Sequence, residues 1–190
     1  MKLIFDGDSW AFGSEIADPK LAAQYDKHAH PGVYDFLPVN DRYRVPKIYS
    51  HKMANLLGCD YINLGWPADD NKTIIERTMT YITSEYISQN KSTDELFVII
   101  GWTSPERNSF WWKNRNFSNK FRLWPQVQHF DDKRQKKLWD MYVQYMWHPE
   151  EYIPRHVSTV VQFQNFCNAH NIKWLSYNAF YQTPHQGPDG

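Results

Sequence analysis

A chain of 190 residues is long enough to enclose one hydrophobic core and short for two, so a single domain over 1–190 is expected. Hydrophobic residues make up 42% and aromatics 17%, which excludes a disordered segment. Lys plus Arg balances Asp plus Glu at 21 each, so no global field draws the chain to nucleic acid or to a membrane surface.

Lys2 to Asp6 is a short apolar run ended by Gly7 and Asp8, the pattern of a buried parallel strand and not of a cleavable leader. No apolar run approaches the roughly 20 residues needed to cross a bilayer. Cys59 and Cys167 are too few for a disulfide framework, so a reduced compartment, the cytoplasm, is expected. Residues 14 to 45 carry Asp, Pro, His and Tyr without a period and read as a long excursion of the kind that lines sites. His28 and His30 within it have no carboxylate or cysteine at a recognised metal-ligand spacing, so they read as loop histidines.

From Pro46, apolar residues at Ile48, Met53, Leu56 and Leu57 have helical spacing, and Gly58 closes the helix. Asp60–Leu64 reads as the second strand, and Asp69 or Asp70 caps a helix with Ile75, Met79, Ile82 and Tyr86 on one face. Glu95–Gly101 holds four consecutive apolar β-formers and should be a central strand buried on both faces. Pro154 is placed in the first turn of a helix through Val157, Val160 and Cys167, followed by a fourth strand at Lys173–Tyr177. This alternation predicts a parallel α/β sheet covered on both faces, with the site at the carboxyl ends of the strands.

Residues 102–150 interrupt the alternation. They include Trp111, Trp112, Trp124, Trp139 and Trp147, and are expected to form an aromatic-rich helical insertion with its own small core. A wall of aromatic faces beside the site, suited to sugar rings, is the other reading. Asp131 and Asp132 before a basic run mark a helix N-terminus with a solvated face.

Ser9 follows Gly7 and Asp8 at the end of the first strand, where a serine offers a nucleophilic hydroxyl and its own amide N–H to one spot. Asp8 and Ser9 could equally do no more than cap a turn. Gly65 ends the second strand, and Gly101-Trp102-Thr103 ends the third, with Arg107 expected to pair with Glu106 and Asn108 close behind.

In this order and placement the chain resembles the SGNH or GDSL-type hydrolases, whose blocks are Gly-Asp-Ser near the N-terminus, a glycine after strand two and Gly-x-Asn after strand three. The resemblance spans almost the whole chain and implies a three-layer α/β/α, flavodoxin-like fold. It makes Ser9 the catalytic nucleophile and Gly65 an oxyanion donor, with Asp8 structural at the site. Thr103 stands where the family has asparagine, and Asn108 is a second candidate for that donor. The family's closing Asp-x-x-His block is not found. His185, followed by Asp189, is the histidine in the right region and the catalytic base that the resemblance suggests, unless such a block lies beyond Gly190. His148-Pro149 resembles that block's end, but Tyr145 stands where its aspartate would be.

The resemblance implies a serine esterase or acyl hydrolase without metal or organic cofactor, acting on a small-molecule or carbohydrate ester such as an O-acetyl group. The alternative is a non-catalytic structural or binding domain with the same fold, held by protein partners in a larger assembly such as a virus particle.

Overall fold

The computed structural model describes residues 1–14, 16–23, 36–113, 118–123 and 133–179. His28, His30, Trp124, Asp131, Asp132 and His185 fall outside them.

Four strands, β1 (Lys2–Asp6), β2 (Asp60–Asn63), β3 (Leu96–Trp102) and β6 (Lys173–Asn178), form one sheet in the order β2-β1-β3-β6. All pairings are parallel, with Phe5 opposite Asn63 on one side and Ile99 on the other, and Gly101 opposite Tyr177. Strand side chains alternate between faces. Leu3, Phe5 and Ile99 pack with Ala54, Tyr49 and Met53 of helix α4 (Tyr49–Leu57). Ile4, Val98 and Ile100 pack on the opposite face with Ile74, Ile75 and Ile82 of α5 (Asn71–Glu85) and Phe163 and Cys167 of α7 (Pro149–Ala169). The protein is therefore α/β, with a parallel sheet and helices on both faces. Among the described residues, no helix is long and apolar enough to cross a membrane.

Local chemistry sets the element ends. Gly58, with φ of 60°, closes α4 by donating its N–H to Ala54 and Asn55, a left-handed position that suits glycine. Asp70 caps α5 by accepting the Thr73 N–H at 2.7 Å. Both cysteines are free thiols, and burial pushes that of Cys167 up to about 12.

Three expectations are corrected. Helix α7 starts at Pro149, not near Pro154: the His148 ring accepts the Glu150 N–H, Pro149 fills the first helical position, and Pro154 lies inside the helix. The stretch 14–45 includes two helices, α2 (Pro19–Ala22) and α3 (Pro38–Arg44), each opened by a proline whose fixed φ suits a first turn. The aromatic insertion is not wholly helical. Its first part is an antiparallel pair, β4 (Asn108–Lys113) with β5 (Ser118–Leu123), in which aromatic β-formers prevail over a helical pattern. Helix α6 (Lys133–Met141) and a π-helical turn at Tyr142–Met146 follow, and Leu123 and Tyr142 are buried with Leu138, Trp139, Val143 and Trp147.

Candidate functional site

The strand order reverses direction between β1 and β3, since the chain passes from β1 to β2 on one side and then to β3 on the other. In open parallel sheets the crevice beyond the carboxyl ends of such a strand pair is where ligands bind. Gly7-Asp8-Ser9 leaves β1 there, and Gly101-Trp102-Thr103 leaves β3 beside it.

Ser9 opens a four-residue helix, α1 (Ser9–Phe12), with Asp8 as its N-cap: the Asp8 Oδ1 accepts the Trp10 N–H at 3.0 Å. The turn is tight because Gly7 lacks a side chain. A Cβ there would lie 2.8 Å from the Ala11 Cβ and 3.0 Å from the Gly101 carbonyl oxygen. Ser9 itself is half-buried, and among the described residues neither its hydroxyl nor its amide N–H has a hydrogen-bond partner. Asp8 is buried and fully engaged. Its Oδ2 accepts the Thr103 hydroxyl at 2.8 Å and an Arg107 N–H at 3.1 Å. Arg107, expected to pair with Glu106, thus forms an ion pair with Asp8.

Gly65 lies against α1, where a Cβ would meet the Ala11 Cβ and the Phe12 nitrogen at 2.9 Å. Its N–H donates to Asn63 Oδ1 at 3.0 Å, and Asn63 Nδ2 donates onward to the Ala11 carbonyl at 2.7 Å. Thr103 is held on every side. Asn71 grips its backbone twice, accepting its N–H at 2.8 Å and donating to its carbonyl at 3.0 Å. The structure therefore brings Ser9, Asp8, Gly65 and Thr103 to one end of the sheet, with the Gly65 amide and the Thr103 hydroxyl each donating within the protein. Asn108 starts β4, half-buried, and its side chain makes no hydrogen bond among the described residues.

Several contacts at this end are not announced by the sequence. Asp6, at the end of β1, is fully buried and accepts from Arg77 through two nitrogens, from the Thr78 hydroxyl at 2.7 Å and from the Gly7 N–H at 2.7 Å. Burial pushes its carboxyl up, and these donors, Arg77 foremost, hold it back. Arg77 also pairs with Asp69. Asp70 accepts from Ser109, which ties the β4–β5 pair to α5.

His156 on α7 is the second omission. Its Nδ1 meets the second N–H of Asn71 Nδ2 at 3.1 Å, and its ring stands edge-on to Trp102 at 5.4 Å. The two bonds to the Thr103 backbone fix which end of Asn71 is nitrogen, so His156 Nδ1 must be an unprotonated acceptor. Burial acts in the same sense and lowers the pKa of the ring. Ala68 is the third. Its φ of 60° puts a side-chain-bearing residue in the left-handed region, in the loop between Gly65 and the cap of α5.

Among the described residues, no three His, Cys, Asp or Glu side chains converge so as to hold a metal ion. The carboxylates are met by guanidinium groups, hydroxyls and backbone amides.

Fold and site together define a parallel α/β protein with a serine at the strand-order reversal. The chain belongs to a family of unknown function (DUF6071), whose sequence profile matches residues 26–186. That span holds Gly65, Thr103, Asn108 and His185 and begins after Ser9. No curated protein matches the chain.

Proposed function

We propose that the protein is a serine ester hydrolase of the SGNH type, on a flavodoxin-like variant of the three-layer fold, with Ser9 as nucleophile. The observation that carries this is the state of Ser9 at the reversal point: among the described residues its hydroxyl and its amide N–H have no hydrogen-bond partner, while the polar side chains around it are paired. A carbonyl carbon next to the Ser9 Oγ would place its oxygen towards the Ser9 amide. The hydroxyl proton passes to a base, a role we give to His185, and then to the departing alcohol. Water releases the acyl group from Ser9 in the reverse sequence. For the oxyanion, Gly65 contributes its amide only by leaving Asn63, and Thr103 its hydroxyl only by leaving Asp8. Asn108, whose side chain makes no hydrogen bond among the described residues, is the alternative. The substrate is an acyl ester of a small molecule or a carbohydrate.

Those same two commitments favour a second reading, a non-catalytic domain that keeps the fold as a binding component of a larger assembly. Hydrolysis of p-nitrophenyl acetate by the full chain separates the two. Turnover that disappears in Ser9→Ala supports the enzyme. No turnover, or turnover that survives the substitution, sinks it and leaves the binding domain.

A further inference from the structure

We propose that the cavity beside β2 receives the acyl chain of the ester, an apolar chain of several carbons. This rests on Ser9 as the nucleophile. The cavity has a volume of about 600 Å³, with Phe12, Arg44, Val45, Ile48, Leu64 and Trp66 in its wall, a size within the usual range of roughly 300–1,000 Å³ for small-molecule sites. It begins close to the serine. Phe12 stands three residues after Ser9 on α1, hence on the same helix face one turn away, and the Trp66 N–H donates to the Gly7 carbonyl at 3.0 Å.

Two aromatic rings of the wall, Phe12 and Trp66, are joined by a third, Phe36, outside it. Phe12, Phe36 and Trp66 pack together with centroids 5.2 to 5.9 Å apart, yet Phe36 is 54% and Trp66 45% exposed. Large rings left open beside a concave surface are the usual mark of a ligand site. The polar side chains of the wall, in contrast, are turned to the protein. Asn63 bridges Gly65 and Ala11, and the Tyr61 hydroxyl meets His51 Nδ1 at 3.1 Å. Arg44 donates to the Phe12 carbonyl and to Asp41, and its Cζ lies 4.0 Å from the Phe12 ring centroid. Its Nε–H is sealed from solvent without a partner among the described residues, so a ligand in the cavity does not reach it. Among the described residues the polar side chains of the wall are already engaged with the protein, so the cavity suits an alkyl chain better than a sugar or a carboxylate.

Burial of each methylene is worth about fourfold in affinity, so kcat/KM should climb by about that factor per added carbon until the cavity is full. The test compares p-nitrophenyl acetate, butyrate, hexanoate and octanoate on the full chain and on Val45→Trp, which fills the cavity, and Trp66→Ala, which removes a wall. The expected result is a rise with chain length in the wild type, and an octanoate-to-acetate ratio at least tenfold lower in each variant. Hydrolysis that is indifferent to chain length overturns the acyl site and leaves the esterase standing. Calorimetric titration with 1-octanol and with octanoate checks the cavity without catalysis. Binding of 1-octanol that Val45→Trp abolishes supports the site even if no ester is cleaved. Absence of 1-octanol binding, or binding of octanoate alone, overturns it.

Discussion

Asp8 has two structural duties, one oxygen capping α1 and the other accepting from Thr103 and Arg107. Removing a partner from a buried ion pair costs about 3–5 kcal/mol, so Asp8→Ala should lose stability on that scale in urea denaturation. Ser9→Ala should change stability by less than about 0.5 kcal/mol, because the hydroxyl it deletes has no hydrogen-bond partner among the described residues. On the proposed reading, activity depends on Ser9 and stability on Asp8. Ala68 provides a backbone test. An L-residue in the left-handed region costs about 1–2 kcal/mol, so Ala68→Gly should stabilise by up to about 1 kcal/mol after glycine's own entropy is counted. Gly101 is a further one-residue constraint: an added Cβ would lie 2.6 Å from the Tyr177 hydroxyl, which is hydrogen-bonded to Tyr49. Gly101→Ala should cost about 1–3 kcal/mol, as overpacking does, with partial recovery in the double variant carrying Tyr177→Phe.

Between elements, the contact to test is that of α7 with α5 and β3 through His156, Asn71 and Thr103. In the unfolded chain a histidine titrates near 6.5; in the fold burial lowers that value, and Nδ1 must stay unprotonated to accept from Asn71. The unfolded state therefore takes up the proton first. The stability that His156 contributes is present above about pH 6.5 and is lost as the pH falls from there through the folded-state pKa. His156→Gln, which keeps an acceptor but does not titrate, should show a smaller loss of urea midpoint between neutral and mildly acid pH than the wild type. Equal slopes in the two proteins would contradict the assignment.

Elements made from local signals were legible. β1 and β3 are uninterrupted apolar runs, Gly58 ends α4 where a left-handed residue is needed, and Asp70 caps α5. The β4–β5 pair was missed because aromatic density does not distinguish a strand from a buried helix. The start of α7 is hidden because Pro154 reads equally well as a first-turn proline, whereas Pro149 with its His148 cap fills that position. The site was legible only where one chain segment carries it, as at Gly7-Asp8-Ser9. Arg77 reaches Asp6 across 71 positions, and His156 reaches Asn71 across 85, so nothing in either neighbourhood announces the partner. In the sequence Gly65 reads as an amide donor. In the structure its lack of a side chain permits the approach of α1, and its amide is held by Asn63.

At the scale of the whole molecule, the parallel order β2-β1-β3-β6 leaves one crevice at the junction of β1 and β3, and two glycine turns bring Ser9 and Thr103 to its rim. Phe12 of the cavity along β2 stands a helical turn from Ser9, so the proposed nucleophile and the proposed acyl site are joined by α1. The central claim is that this arrangement makes Ser9 a reactive nucleophile. Incubation of the full chain with a fluorophosphonate, followed by peptide mass spectrometry, tests it directly, because the reagent modifies only an activated hydroxyl. One adduct is expected, on the peptide that holds Ser9, and none in Ser9→Ala. An unmodified Ser9, or an adduct at another residue, would contradict it.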